Sequence, residues 1–181
     1  MKKLAIVASL VAAFGSVGLA QAASTGTITF NGELTANTCD VVVDGQGANA
    51  TVVLPTVSTS QLQLATRTAG DTGFVMALNN CSGTLQTASA FFEAGASVDS
   101  VTGRLKNLTG GATNVSLQLL DGSSPSMAVI KAGSQDQVTD TSYKNVASGS
   151  TTLPYFVRYY AEAPTTAGTV VSNVVYSIQY Q

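Results

Sequence analysis

The chain closes on Val174-Val175-Tyr176-Ser177-Ile178-Gln179-Tyr180-Gln181, a stretch of strict two-residue alternation. Val174, Tyr176, Ile178 and Tyr180 fall on one face, and Val175, Ser177, Gln179 and Gln181 on the other. Successive side chains of a β-strand point to opposite faces, so this is the pattern of a half-buried strand. Chain ends usually fray and are polar. An alternating strand that runs to the last residue is therefore either the final strand of an ordinary sheet or a strand held by a partner.

Working back from this stretch, no 12-residue window after residue 23 keeps a 3.6-residue apolar period. Short alternating or β-branched runs recur instead at 39–43, 51–54, 74–78, 90–94, 115–120, 127–130, 153–161 and 170–180. Clusters of Gly, Ser, Asn, Asp and Thr separate them, with Pro55 closing the second and Asp121-Gly122 turning the chain after the fifth. A short helical turn is expected around 61–64, within a loop at 58–73. Seven to nine strands without a repeat or linker predict a single all-β sandwich.

The first 22 residues read as an address. Met1-Lys2-Lys3 is a positive start, residues 4–19 are apolar apart from Ser9, Gly15, Ser16 and Gly18, and Ala20-Gln21-Ala22 is a small-x-small cleavage site. The apolar run is shorter than the ~20 residues of a membrane span, so a cleaved signal peptide is predicted. Its removal takes Lys2 and Lys3 with it and shifts the formal charge from −2 to −4. Export places Cys39 and Cys81, the chain's two cysteines, in an oxidising compartment, where an even count of two leaves one pairing. Just ahead of Cys39, a second alternating stretch carries Ile28, Phe30, Gly32 and Leu34 on one face and Thr27, Thr29, Asn31 and Glu33 on the other. It is either an edge strand of its own sheet or a strand offered to another molecule.

Composition excludes much chemistry. The 181 residues contain no His, which removes Ser-His-Asp and Cys-His catalysis and the commonest metal ligand. A charged fraction of 10% and a charge near neutral do not suit a partner gripped through phosphates. The acid pairs Asp40 with Asp44 and Asp136 with Asp140 read as solvated turn residues, the latter pair in a polar loop. Asn49, Asn107 and Asn114 open Asn-x-Ser/Thr triplets, a short pattern in a Thr-rich chain. Gly110-Gly111 lacks the lysine of a phosphate loop. Tyr155, Tyr159 and Tyr160 are candidates to line a sugar site, but alternating aromatics in a late strand are more often core and interface. No catalytic residue, metal or cofactor is expected.

Five blocks in order make the resemblance specific. Gly26-Thr27-Ile28-Thr29-Phe30-Asn31-Gly32-Glu33 comes first, then Leu78-Asn79-Asn80-Cys81. Ala112-Thr113-Asn114-Val115-Ser116-Leu117-Gln118-Leu119-Leu120-Asp121 and Leu153-Pro154-Tyr155-Phe156-Val157-Arg158-Tyr159-Tyr160-Ala161 follow, and Gly168 stands fourteenth from the end with Tyr180 beside the terminus. Over about 155 residues the sequence resembles subunits of fimbriae assembled by the chaperone–usher pathway, most closely the major rod subunit of type 1-like pili.

That resemblance implies an incomplete immunoglobulin-like β-sandwich lacking its last strand, completed by a donor strand from a neighbouring subunit. It divides the chain into a signal peptide (1–22), a donor-strand extension (23–35) and the fimbrial domain (36–181). Ile28, Phe30, Gly32 and Leu34 become the donor residues, and Val174, Tyr176, Ile178 and Tyr180 the strand beside the groove, where a periplasmic chaperone binds first. Identical or related subunits and an outer-membrane usher are the other implied partners, nucleic acid is not one, and the implied location is the extracellular fimbrium. The competing reading is a secreted, self-complete immunoglobulin-like module that binds carbohydrate.

Overall fold

Strands form where the apolar alternation meets a neighbour able to complete the backbone hydrogen bonds. The computed structural model describes residues 26–32, 34, 36 and 38–181, and the signal peptide lies outside them. The chain separates into two units, Met1–Glu33 and Leu34–Gln181. Of the first, residues 26–32 are described: they adopt neither helix nor strand and are exposed, Ile28 and Phe30 included.

The second unit carries nine strands among its described residues: β1 (Thr38–Val43), β2 (Thr68–Ser82), β3 (Thr87–Phe92), β4 (Leu105–Lys106), β5 (Val115–Asp121), β6 (Val129–Ile130), β7 (Lys144–Asn145), β8 (Thr151–Ala161) and β9 (Tyr176–Tyr180). One sheet has the order β1-β2-β8-β5-β4, with β6 also on β5; the other is β7-β3-β9. Every pairing is antiparallel. The expected helical turn is a single 3-10 turn at Thr59–Leu62. The sequence-based loop at 58–73 is too long by half a dozen residues, because β2 already begins at Thr68. A one-turn helix, α1 (Gln137–Asp140), stands where a polar loop was expected.

The core lies between the sheets. Phe74, Met76 and Leu78 of β2, Leu153, Tyr155 and Val157 of β8, and Leu117 and Leu119 of β5 meet Ala88, Ala90 and Phe92 of β3. Burying each larger side chain contributes about 1.5–3 kcal/mol. The alanines of β3 leave room for Tyr155, whose ring meets Phe92 edge-on at 5.2 Å and lies 5.7 Å from Phe74. The disulfide between Cys39 and Cys81 is formed and ties β1 to the end of β2.

β3 has one edge closed partly by side chains. Ala88 pairs with Lys144 of β7, but β7 ends there. Two residues on, the Ala90 N–H donates to the Tyr155 hydroxyl at 3.0 Å. The Gln137 amide, held by α1, then bonds both groups of Phe92, accepting from its N–H at 2.9 Å and donating at 3.0 Å to its carbonyl, which also accepts from Gly133 N at 2.8 Å. Gln137 thereby does the work of a missing strand residue, which explains why a glutamine is almost fully buried.

Candidate functional site

The sheet's opposite edge has no such cover. Residues 170–175 lead into β9 with burial alternating residue by residue, and their backbone can be sorted by parity, since the N–H and C=O of one strand residue point the same way and alternate along the chain. The odd members are satisfied on the side of residues 93–112. The carbonyls of Thr169, Val171 and Val175 accept from Ala112, Leu108 and Glu93, and the Asn173 carbonyl accepts from the Ser97 hydroxyl. In β9 the odd residues continue this pattern against β3. The even members, 170, 172 and 174, turn their N–H and C=O to the other side, where no strand lies among the described residues. Their side chains point inward: Val170, Ser172 and Val174 are half-buried, while Val171, Asn173 and Val175 are exposed.

Asn107 fixes this wall. Its Nδ2 donates to the carbonyls of Ala112 at 2.8 Å and Thr169 at 3.1 Å, and its Oδ1 accepts from Val171 N at 2.8 Å and Gly110 N at 3.1 Å. The residue is thus occupied structurally, although it opens a glycosylation triplet. At the start of the wall, Gly168 packs so closely on Gly111 and Ala112 that a Cβ would collide with their backbone.

Facing this wall is a second unpaired segment. The run expected as a strand at 51–54 forms no strand and joins no sheet, although its burial still alternates, with Thr51 and Val53 exposed and Val52 and Leu54 half-buried. Among the described residues, 52–57 enter none of the backbone hydrogen bonds of the turns and loops either. Val52 and Leu54 turn half-buried side chains toward the core.

Between the two walls runs an apolar groove in two consecutive sections. The first, about 460 Å³, is walled by Val52, Leu54, Ser172, Val174 and Tyr176, and floored by core side chains including Phe74, Met76, Phe92, Leu117 and Val157. The second, about 680 Å³, lies between Val57 and Val170, with Leu62, Val115 and Tyr159 beneath. The walls run in opposite directions: 48–54 faces 172–176, and 56–59 faces 165–171. A sandwich interior open along such a line lacks one strand's width of cover.

The sequence-derived residues fall into place unevenly. Val174, Tyr176, Ile178 and Tyr180 share the inward face of the open-edged strand, and all four pack on the core. Burial raises the phenols of Tyr176 and Tyr180 above their ordinary value. Ile28, Phe30 and Leu34 are exposed, and nothing lies within 4 Å of the position a Gly32 Cβ would take.

The tyrosines do not share a surface. Tyr155 is core, Tyr159 lines the second groove section, and Tyr160 lies on the other face of β8 beneath the Arg104 guanidinium, 4.0 Å from its ring centre. Asp40 accepts from Asn80 Nδ2 at 2.7 Å and Asp44 from Val75 N at 2.8 Å, both tying β1 and its following turn to β2. Asp136 and Asp140 bracket α1 rather than a loop.

The second wall at 52–57, Asn107 and Gln137 escaped the sequence reading. The alternation of Val52 and Leu54 signalled the first; for the two amides no signal existed, because their partners are backbone groups distant in the chain.

Comparison with known proteins fits this geometry. Residues 54–181 match the model of the family described as "Type-1 fimbrial protein, A". The chain is 41% identical over 165 residues to the major fimbrial subunit SMF-1 of Stenotrophomonas maltophilia, covering 90% of this chain and 96% of that one. It is 37% identical over 186 residues to the F17 fimbrial protein of Escherichia coli, covering both in full. Among solved structures it is similar in fold to a chain from a chaperone–usher pilus, with a TM-score of 0.60, 19% identity, and coverage of 88% of this chain and 97% of that one.

Proposed function

The chain belongs to the Type-1 fimbrial protein, A family, and from that premise we propose that copies join by lending residues 27–34 of one to the open groove of the next. The protein is a structural subunit of a fimbrium and works outside the cell; the joint is what the groove explains. The observation that carries the reading is the unpaired edge at 170, 172 and 174, lying over an uncovered core. Such an edge is a template for strand addition, the mode of binding by which chaperones complement pilins.

The lent segment suits the vacancy. Ile28, Phe30 and Leu34 contribute about 4.5–9 kcal/mol gross if fully buried, and each backbone bond to the wall adds about 0.5–1.5 kcal/mol. Ordering the segment offsets much of this, at about 1–2 kcal/mol per residue, so a durable joint also requires slow release. Before assembly the exposed edge needs protection. A periplasmic chaperone supplies it along Val174, Tyr176, Ile178 and Tyr180, after residues 1–22 direct export, and an outer-membrane usher exchanges the chaperone for the next subunit.

The test is deletion of residues 23–34, with the cell surface viewed by electron microscopy. Filaments should vanish while the subunit is still recovered bound to its chaperone, and Phe30→Asp should block incorporation. Undiminished filaments from the deletion would overturn the reading.

A further inference from the structure

Two side-chain oxygens, those of Thr165 and Ser172, are buried without a hydrogen-bond partner among the described residues, and both line the groove. Thr165 precedes Gly168 and lies outside the alternating wall. Ser172 stands within it, in an inward row formed with Val170, Val174, Tyr176 and Ile178; the other hydroxyl of that row, on Tyr176, has a partner, donating to the Ala48 carbonyl. A shielded hydroxyl without a partner is unfavourable, and an aliphatic occupant would leave it so.

The lent segment has one irregular member of its own. Its inward row is Ile28, Phe30, Gly32 and Leu34. Three positions present hydrocarbon; at the fourth the backbone is bare. Glycine weakens a strand and marks places where another group approaches the backbone closely.

We propose that Gly32 of one copy sits opposite Ser172 of the next, so that the serine hydroxyl donates to the incoming backbone where the glycine leaves it uncovered. This rests on the strand-lending reading and names the residues that set its register. The open N–H and C=O groups of the wall belong to even residues, so an inward-facing donor residue directly opposite one of them forms a hydrogen-bonded pair. With the donor antiparallel to the wall, as every strand pair among the described residues is, Gly32 opposite Ser172 sets Leu34 opposite Val170, Phe30 opposite Val174 and Ile28 opposite Tyr176. Phe30 then lies over the floor of Phe74, Met76 and Phe92, and Leu34 enters the section of Leu62 and Tyr159. A slip of two residues either way sets Phe30 or Leu34 against the hydroxyl, and the glycine against a valine that it cannot fill. Ser172 is thus a specificity-determining residue of the joint.

Cysteine pairs in the full-length chain test the register. Opposed residues of a hydrogen-bonded pair have Cα atoms about 5.5 Å apart, within the roughly 4.4–6.8 Å span of a disulfide. Gly32→Cys combined with Ser172→Cys should give a ladder of linked subunits on a non-reducing gel. It should exceed at least about fivefold the ladder from Gly32→Cys with Val170→Cys or Val174→Cys, whose Cα atoms lie beyond the upper end of that span. A stronger ladder from either flanking pair overturns the proposal.

A second measurement avoids the cysteines. Ser172→Ala should speed subunit release in guanidinium about fivefold to tenfold, the effect of losing one hydrogen bond, and should have no such effect in a Gly32→Ala background. Additive effects overturn the pairing. If filaments also survive deletion of 23–34, the strand-lending reading itself fails; if they do not, only this register is wrong.

Discussion

A few side chains decide where backbone edges are closed. Asn107 makes four hydrogen bonds that hold the wall at Thr169 and Val171 against the 107–112 loop. Asn107→Ala should leave the Val171 and Gly110 N–H groups and the Ala112 carbonyl short of partners, the Thr169 carbonyl keeping the Ala112 N–H, lower stability by about 1–3 kcal/mol, and weaken the polymer more than the isolated subunit. Urea midpoints of both forms measure this, and equal losses would show that the wall is positioned by something else. Glu162 is paired through two 2.8 Å contacts with Arg104 and accepts from Ser116 Oγ at 2.6 Å. Burial pushes its carboxyl up, but the Arg104 and Ser116 hydrogen bonds outweigh this and hold it below the ordinary value of 4.5. A lowered carboxyl contributes stability above its ordinary value and loses it as pH falls through the folded value. Glu162→Gln should therefore flatten the acid-induced loss of stability below about pH 4.5, seen as a smaller shift in urea midpoint between pH 7 and pH 3. The change is modest, since the side chain is 41% exposed and solvent screens the pair.

At the scale of elements, alternation is legible whenever a segment has one buried face, whether or not it has a partner. That is why β2, β8 and β9 could be read from their valines, leucines and tyrosines, and why 51–54 and 170–175 looked like strands although no sheet of the described residues includes them. β5, buried at all seven positions, is read from its apolar run instead. A side-chain pattern reports a face; a hydrogen-bonded strand also needs a neighbour, and the sequence of one copy does not contain the second copy. The two-residue strands β4 and β7 carry too few side chains to show a period. The one-turn helix at Gln137 was illegible because its role is to present a single amide to Phe92. The disulfide, in contrast, followed from counting. It closes a loop of about 43 residues, so replacing both Cys39 and Cys81 by alanine should cost about 4 kcal/mol on the chain-entropy account. Guanidinium unfolding of the subunit measures that cost, and an unchanged midpoint would place the stability of β1 in its pairing with β2 alone.

For the whole molecule, the two edges of one small sheet are treated differently. The β3 edge is finished by β7, Tyr155 and Gln137, while the β9 side and its leading wall find no backbone partner for their even-numbered groups among the described residues. A chain that seals one edge with buried polar side chains and leaves the other bare suits the proposed completion from outside, and membership of a fimbrial family makes another copy the completing molecule we propose. The alternative of a self-complete carbohydrate-binding module is not favoured, and its three tyrosines do not meet on one surface. Hydrogen exchange on the dilute, chaperone-free subunit and on the assembled fimbrium tests the claim most directly. Amides of residues 27–34 and of 170, 172 and 174 should exchange freely in the dilute subunit and become strongly protected together in the polymer, while those of 76–78 stay protected in both. Protection of 27–34 already complete in the dilute subunit, and unchanged on assembly, would contradict the account.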